Sequence, residues 1–214
     1  MEKILITGTG RCGTTFLIKL FSFLEFNTGY NRSNYINFIF PNCNSGMERM
    51  YNENYYILKN PNFIRNIKYI LEDQSVIIKK VIIPIRDLRS SAKSRVKHNK
   101  LPGGLLDASD EESQIKYYNK LLSNYIYLMT KHDIDTILID FDRMISDKAY
   151  LFNKIKSILD EKNISFETFC NVYDEVSSTS KPYFLHFRYV FFVSMFHIHF
   201  HLILHENVLR IHLD

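Results

Sequence analysis

The sequence predicts an α/β fold in which a parallel sheet carries helices on both of its faces. Four short apolar segments have the length and composition of buried strands, and stretches with helical spacing of their apolar residues separate them. This alternation is typical of parallel sheets, because parallel strands need a crossover connection. The strands are predicted at residues 3–7, 55–58, 81–85 and 136–140.

Helices are predicted where apolar residues recur at helical spacing. The clearest runs follow the first strand, span 64–72, extend from Ser109 to about His132, and occupy 150–160 and 166–173. Residues 30–54 lack periodicity and are rich in Asn, Tyr and Ser, which predicts a long loop with at most short helices. A loop of that length in a single domain usually serves function.

A glycine-rich turn joins the first predicted strand to the first helix. Gly8, Gly10 and Gly13 let the backbone approach a ligand closely, and the first amides of the helix point toward it. The stretch matches the dinucleotide pattern G-x-G-x-x-G, but no acid stands at the end of a second strand. It also matches a P-loop in which Thr14 replaces the lysine. A third interpretation uses Arg11 as the loop's cation, with hydroxyl groups from Thr14 and Thr15.

A second cationic segment begins at the end of the third predicted strand. Arg86 follows the strand directly, and Ser94 comes eight residues later, two helical turns on. In open parallel sheets, ligands bind beyond the carboxyl ends of the strands. The glycine turn, Lys59, Arg86 and Asp142 each follow the end of a predicted strand, so we expect them at one edge of the sheet.

These stretches resemble the P-loop sulfotransferases that use 3′-phosphoadenosine 5′-phosphosulfate. Gly10-Arg11-Cys12-Gly13-Thr14-Thr15-Phe16-Leu17 is similar to the family's G-R-S-G-T-T-F-L, with Cys12 as the departure. The segment from Arg86 to Arg95 is similar to R-D-P-R-D-x-x-x-S-R, with Leu88 in place of proline. Phe26-Asn27-Thr28-Gly29 and Gly46-Met47-Glu48 resemble segments of the bacterial and phage-type branch. The resemblance covers residues 1–182 and implies a single P-loop-type domain.

The resemblance also implies a set of site residues. The phosphosulfate would be bound by the loop residues Gly10, Arg11, Cys12, Gly13, Thr14 and Thr15. Arg86 and Ser94 would grip the 3′-phosphate, and Lys181 would belong to a late basic loop that closes the nucleotide site. Arg11 and Lys59 would neutralise charge on the bridging oxygen. Glu48 is the expected general base for the acceptor, with His98 as the reserve, and no metal is expected.

The predicted function is therefore sulfuryl transfer to a hydroxyl or amine of a small-molecule or glycan acceptor. One alternative is a P-loop kinase or NTPase, against which the missing P-loop lysine counts. Another is a non-catalytic nucleotide-binding protein that kept the fold. The net charge of +4 over 214 residues suits an anionic cofactor, and no long Lys/Arg run indicates nucleic acid.

The remaining expectations concern location and the end of the chain. The three cysteines are widely spaced, and the first strand starts too early for a signal peptide, which together predict a cytoplasmic protein. Residues 183–214 are expected to form a separate apolar, histidine-rich tail. We expect no membrane contact from it, because the run at 190–204 is too short and too rich in histidine. We also expect no metal at His197, His199 and His201, for which no complete ligand set is evident.

Overall fold

A computed structural model describes residues 2–40, 45–98 and 103–179 of the chain. Lys181, the predicted domain boundary after residue 182 and the histidine-rich tail lie outside these described residues. No helix within the described residues is long and apolar enough to cross a membrane.

Four parallel strands form the central sheet, in the order β4-β1-β5-β6. Their bounds are β1 at Glu2–Ile6, β4 at Ile57–Lys59, β5 at Ile77–Ile85 and β6 at Thr136–Asp140. A separate antiparallel pair consists of β2 at Ile39–Phe40 and β3 at Ser45–Gly46. The helices are α1 at Thr14–Phe23, α2 at Phe63–Glu72, α3 at Leu88–Lys97, α4 at Glu111–Lys131, α5 at Phe141–Ser146, α6 at Lys148–Leu159 and α7 at Phe166–Thr179. Short 3-10 turns occupy Tyr35–Phe38 and Asp160–Lys162.

The sheet is covered on both faces, which confirms the predicted fold class. Alternate residues of a strand point to opposite faces. Ile4 and Ile6 of β1 therefore pack into the core under α1, α5, α6 and α7, whereas Leu5 packs into the core under α2 and α4. Helix α3 packs against α4.

Strand β5 is longer than the sequence suggested, because Lys79 and Lys80 do not interrupt it. Its first residues pair with the start of β1, where the sheet projects beyond the core. There the two lysines reach acids: Lys79 contacts Glu161 at 2.9 Å, and Lys80 forms an ion pair with Asp135. A long aliphatic stem with a charged end is well accommodated at such a margin.

Pro84 lies in this central strand without removing a ladder hydrogen bond. Ile82 accepts a hydrogen bond from the Thr7 amide on the β1 side, so alternate residues of β5 face β1. Pro84 is the next residue with that orientation, but the pairing of β1 with β5 ends at Ile6 and Ile82. No residue of β1 is therefore paired with Pro84, and the absence of an amide hydrogen there costs no hydrogen bond between β1 and β5.

Helix α7 is longer than the helix predicted at 166–173, because it continues to Thr179. The Thr179 hydroxyl donates to the backbone carbonyl of Glu175 at 2.9 Å and accepts from Lys19 Nζ at 2.6 Å. A tertiary contact at the last described turn thus supports a segment with weak intrinsic helix propensity.

Candidate active site

A cleft of about 510 Å³ opens at the carboxyl edge of the sheet, where the sequence predicted a ligand site. Five cationic side chains line it: Arg11, Lys19, Lys59, Arg86 and Arg95. Glu48 is the single acid among the described residues that line it. The excess of positive charge favours a ligand with several negative charges.

The glycine loop forms the floor of the cleft. Gly13 caps α1 in a left-handed conformation with φ of 87°, and no side chain caps the first turn. The first amides of a helix have no partner within the helix, so those of Thr14 and Thr15 are available to an anion at the cleft. The loop therefore has the local structure that anion binding requires.

Cys12 contributes to this loop differently from the cleft-lining residues. Its side chain is fully buried, and a Cβ added to Gly8 would stand 2.8 Å from its Sγ. Burial raises the pKa of the Cys12 thiol, although backbone and side-chain hydrogen bonds in the loop act in the opposite direction. A buried neutral thiol is a packing group, so only the Cys12 backbone remains for anion binding.

Lys59 and Glu48 form the first charged cluster of the cleft. Lys59 Nζ donates to Glu48 Oε1 at 2.5 Å, to the Gly46 carbonyl at 2.8 Å and to Thr15 Oγ1 at 3.3 Å. The Lys59 side chain is 1% exposed, whereas that of Glu48 is 37% exposed. The end of β4 thus holds a buried ammonium group beside the loop, with a solvent-facing carboxylate next to it.

Arg11, Ser94 and His98 form the second cluster, on the α3 side of the loop. Arg11 Nε donates to Ser94 Oγ at 3.1 Å, and an Arg11 terminal nitrogen lies 3.3 Å from His98 Nε2. Arg86 donates to the Arg11 carbonyl at 3.2 Å and stacks on the Phe141 ring at 4.7 Å. Burial, followed by the charges of Arg11 and Lys97, lowers the pKa of His98. Arg11 therefore contacts Ser94 and His98 on the α3 side of the loop.

Arg95 is a site residue that the sequence analysis did not single out. It is 4% exposed, and it donates to the Thr9 carbonyl at 2.9 Å, the Gly104 carbonyl at 2.5 Å and Tyr118 Oη at 2.5 Å. These contacts tie the glycine loop to the segment after residue 102 and to α4. Its place beside Ser94 in the second motif was the available signal.

Lys19 is the second residue that the sequence analysis missed. Helix α1 is apolar around almost its whole circumference, and eight of its ten residues are buried. A lysine in such a helix has to be buried as well, and Lys19 is 2% exposed. The signal was therefore the all-round burial of the helix and not any motif. Within the described part of the chain, no three His, Cys, Asp or Glu side chains gather to hold a metal ion.

No protein-family model and no curated protein matches this chain. Among solved structures, the chain is similar to retinol dehydratase in complex with androsterone and the inactive cofactor PAP. The two chains are 13% identical with a TM-score of 0.43 over 81% of this chain. The likeness covers 64% of the retinol dehydratase chain, less than two thirds of its length. A likeness at this level carries no argument about the chemistry of the cleft.

Proposed function

We propose that the chain is a sulfotransferase of the bacterial and phage-type branch that uses 3′-phosphoadenosine 5′-phosphosulfate. The observation that carries the proposal is the division of the cationic cleft into two clusters on either side of the anion-binding loop. Lys59 lies on one side, and Arg11, Arg86 and Ser94 lie on the other. A ligand with two separated anionic groups matches this division, as a nucleotide with a phosphosulfate and a 3′-phosphate would.

The residues of the loop fit the phosphosulfate. Gly10 and Gly13 have positive φ angles, and a side chain at either would meet neighbouring atoms within 3 Å. The loop amides and Thr15 would bind the sulfuryl and 5′-phosphate oxygens, while Arg86 and Ser94 would bind the 3′-phosphate. Charge-assisted hydrogen bonds of this kind are among the strongest that a protein makes.

The transfer step then uses the Lys59 and Glu48 pair. The acceptor oxygen or nitrogen attacks sulfur in line, the bond from sulfur to the bridging oxygen breaks, and the electron pair stays on the departing phosphate. Lys59 donates to the bridging oxygen as charge develops there. Glu48, whose side chain is 37% exposed, accepts the acceptor's proton. The acceptor is a small molecule or a glycan.

The alternative of a P-loop kinase or NTPase has less support in this cleft. Such a site needs a loop lysine for the outer phosphates and acids to hold magnesium. Thr14 stands where that lysine belongs, and Glu48, the one acid among the described cleft-lining residues, is paired with Lys59.

Both described cysteines are free thiols, which supports action in a reducing compartment such as the cytoplasm.

Isothermal titration with 3′-phosphoadenosine 5′-phosphate, in parallel with ATP and magnesium, tests the proposal. We expect the desulfated nucleotide to bind at least about tenfold more tightly, because the second cationic cluster meets its 3′-phosphate. Tighter binding of ATP with magnesium would favour the kinase or NTPase instead. Absence of binding by either nucleotide would overturn the nucleotide site altogether.

A further inference from the structure

Lys19 lies at the end of the cleft that extends from the loop along α1. Lys19 is one helical turn beyond Thr15, so the side chains of Thr15 and Lys19 share a face of α1. Thr15 is the residue that contacts Lys59. Lys19 Nζ donates to Thr179 Oγ1 at 2.6 Å and lies 4.4 Å from the centroid of the Tyr35 ring. The Phe23 ring lies 5.6 Å from the same nitrogen. An ammonium group has three donors, so one hydroxyl acceptor and two ring faces leave it further hydrogen-bonding capacity.

The charge of Lys19 is not neutralised by an ion pair within the described residues. Glu175 is the acid whose charge acts on it, but Arg32 holds that carboxylate by three contacts of 3.0, 3.1 and 3.1 Å. Burial lowers the pKa of Lys19 to about 8 in spite of Glu175. A buried ammonium without a paired anion is costly, and an incoming anion would offset that cost.

The surroundings of this end of the cleft are mainly apolar. Phe16, Ile39 and Phe40 line it together with Lys19, and Phe40 is 52% exposed. Glu48 and Ser45 also line the cleft. The apolar part of an acceptor bound here would contact these side chains, and the end of the acceptor distant from the loop would contact Lys19.

We propose that Lys19 binds a carboxylate of the acceptor, so that the acceptor is an apolar hydroxy acid. The inference rests on the proposed function, since it takes this end of the cleft as the acceptor side. A single point charge in apolar surroundings matches a monoanion, whereas dianionic phosphate groups favour the planar fork of arginine. The hydroxyl would lie toward Glu48 and Lys59, and the carboxylate toward Lys19.

Titration calorimetry with matched phenols and matched aliphatic alcohols tests this assignment without requiring turnover. The first set is 4-hydroxyphenylacetate, 4-ethylphenol and tyramine, and the second is 8-hydroxyoctanoate, 1-octanol and 8-amino-1-octanol. We expect the carboxylate of at least one set to bind most tightly and the amine least tightly. Lys19→Met should weaken carboxylate binding about tenfold or more and leave the neutral alcohol unchanged.

Thr179→Val is the matched control, because it removes the hydroxyl partner of Lys19 and keeps the charge. We expect it to retain the preference for the carboxylate, and thermal melting of both variants checks that they fold. The assignment is overturned if no carboxylate binds more tightly than its neutral counterpart, or if Lys19→Met keeps the preference. Carboxylate binding that depends on Lys19, in a protein that binds no 3′-phosphoadenosine 5′-phosphate, would refute the proposed function while leaving this assignment standing.

The pH dependence of carboxylate binding gives a second readout. The Lys19 charge is present below a pH of about 8 and is lost above it, so affinity should fall about tenfold between pH 7 and pH 9. Among the described residues, the other charged groups considered at this end are Glu175 with Arg32 on the α7 side and Glu48 with Lys59 on the loop side. The same pH profile in Lys19→Met would contradict the assignment.

Discussion

At the scale of single residues, the Lys59 and Glu48 ion pair is the contact to which the proposed function assigns the chemistry. The sequence suggested each residue separately, Lys59 from its place after a predicted strand and Glu48 from a loop segment. The structure joins them at 2.5 Å, with Lys59 buried and Glu48 turned to solvent. A buried cation beside an anion-binding loop acts on charge that develops there, because water does not screen it.

Substitutions of this pair should affect turnover more than nucleotide binding. Lys59→Met should reduce sulfuryl transfer far more than it weakens binding of the desulfated nucleotide, because the contact matters most in the transition state. Glu48→Gln should leave nucleotide affinity intact and lower turnover by roughly a hundredfold or more. Single-turnover rates and titration calorimetry measure the two effects. A Glu48→Gln protein with wild-type turnover would remove Glu48 from the role of base.

Gly10 is required for two reasons that can be separated experimentally. Its φ is +76°, and a Cβ at this position would stand 2.1 Å from Arg95 Nη2. Arg95 cannot move aside cheaply, because its hydrogen bonds to Thr9, Gly104 and Tyr118 hold the guanidinium group. Gly103 has a φ of +98°, but among the described residues a Cβ there would approach only Arg11 atoms, the nearest at 3.6 Å.

Gly10→Ala should therefore destabilise the protein more than Gly103→Ala, which bears mainly the backbone cost of about 1–2 kcal/mol. Urea denaturation measures both variants. In an Arg95→Ala background, the cost of Gly10→Ala should fall to that of Gly103→Ala. Equal costs in the wild-type background would show that Arg95 does not restrict this position.

At the scale of elements, α4 positions the wall of the cleft through buried polar side chains. Tyr118 Oη accepts from Arg95, and Gln114 Oε1 accepts from the Leu106 amide at 2.7 Å. The helix itself starts at a capping box, in which Asp110 and Ser113 satisfy each other's backbone amides. One helix thereby fixes both Arg95 and the segment that contains Leu106, which lines the cleft.

Two tyrosines of α4 allow a matched test of this role. Tyr118→Phe should lower the free energy of unfolding by about 1–3 kcal/mol, because Arg95 Nε loses its acceptor. Tyr125 is equally buried, but its hydroxyl has no hydrogen-bond partner within the described residues. Tyr125→Phe should therefore be neutral or stabilising. Urea denaturation measures the free energy of unfolding of both variants. Equal losses of stability would contradict the assigned role of Tyr118.

The sequence predicts elements well where one local pattern decides the structure. Strand β6 matches the predicted residues because it is a short apolar run between polar residues. The antiparallel pair of β2 and β3 was missed because each strand has only two residues and no alternation. Gly46 makes this pair possible, since a Cβ there would stand 1.9 Å from the Phe38 carbonyl oxygen. The start of β5 and the end of α7 depend on ion pairs and on Lys19, which act across the fold.

The same contrast applies to the candidate site. Arg86 and Ser94 could be predicted from their spacing after a strand, because strand ends converge at one edge of the sheet. The contacts among the cations could not be predicted, because the direction of the Arg11 side chain depends on Ser94 and His98, which are distant in the sequence. Lys19 belongs to no motif, and Arg95 ends the second motif without a role that the motif assigns, so the roles of both follow from burial.

At the scale of the whole molecule, the charges of the cleft come from segments that are far apart in the sequence. Helix α1, strand β4 and the segment after β5 each contribute at least one cation to the same edge of the sheet. The central claim is that the Arg86 side of this edge recognises a 3′-phosphate. This claim separates the proposed nucleotide from ATP and from simple monophosphates.

The most direct test compares the affinities for 3′-phosphoadenosine 5′-phosphate and adenosine 5′-phosphate by titration calorimetry. Wild-type protein should prefer the 3′-phosphorylated nucleotide by roughly tenfold to a hundredfold, the range for charge-assisted hydrogen bonds. Arg86→Ala should abolish most of this preference, and Arg89→Ala, which removes an exposed arginine paired with Glu111 and Glu112, should preserve it. Equal affinities in the wild type, or an unchanged preference in Arg86→Ala, would contradict the account.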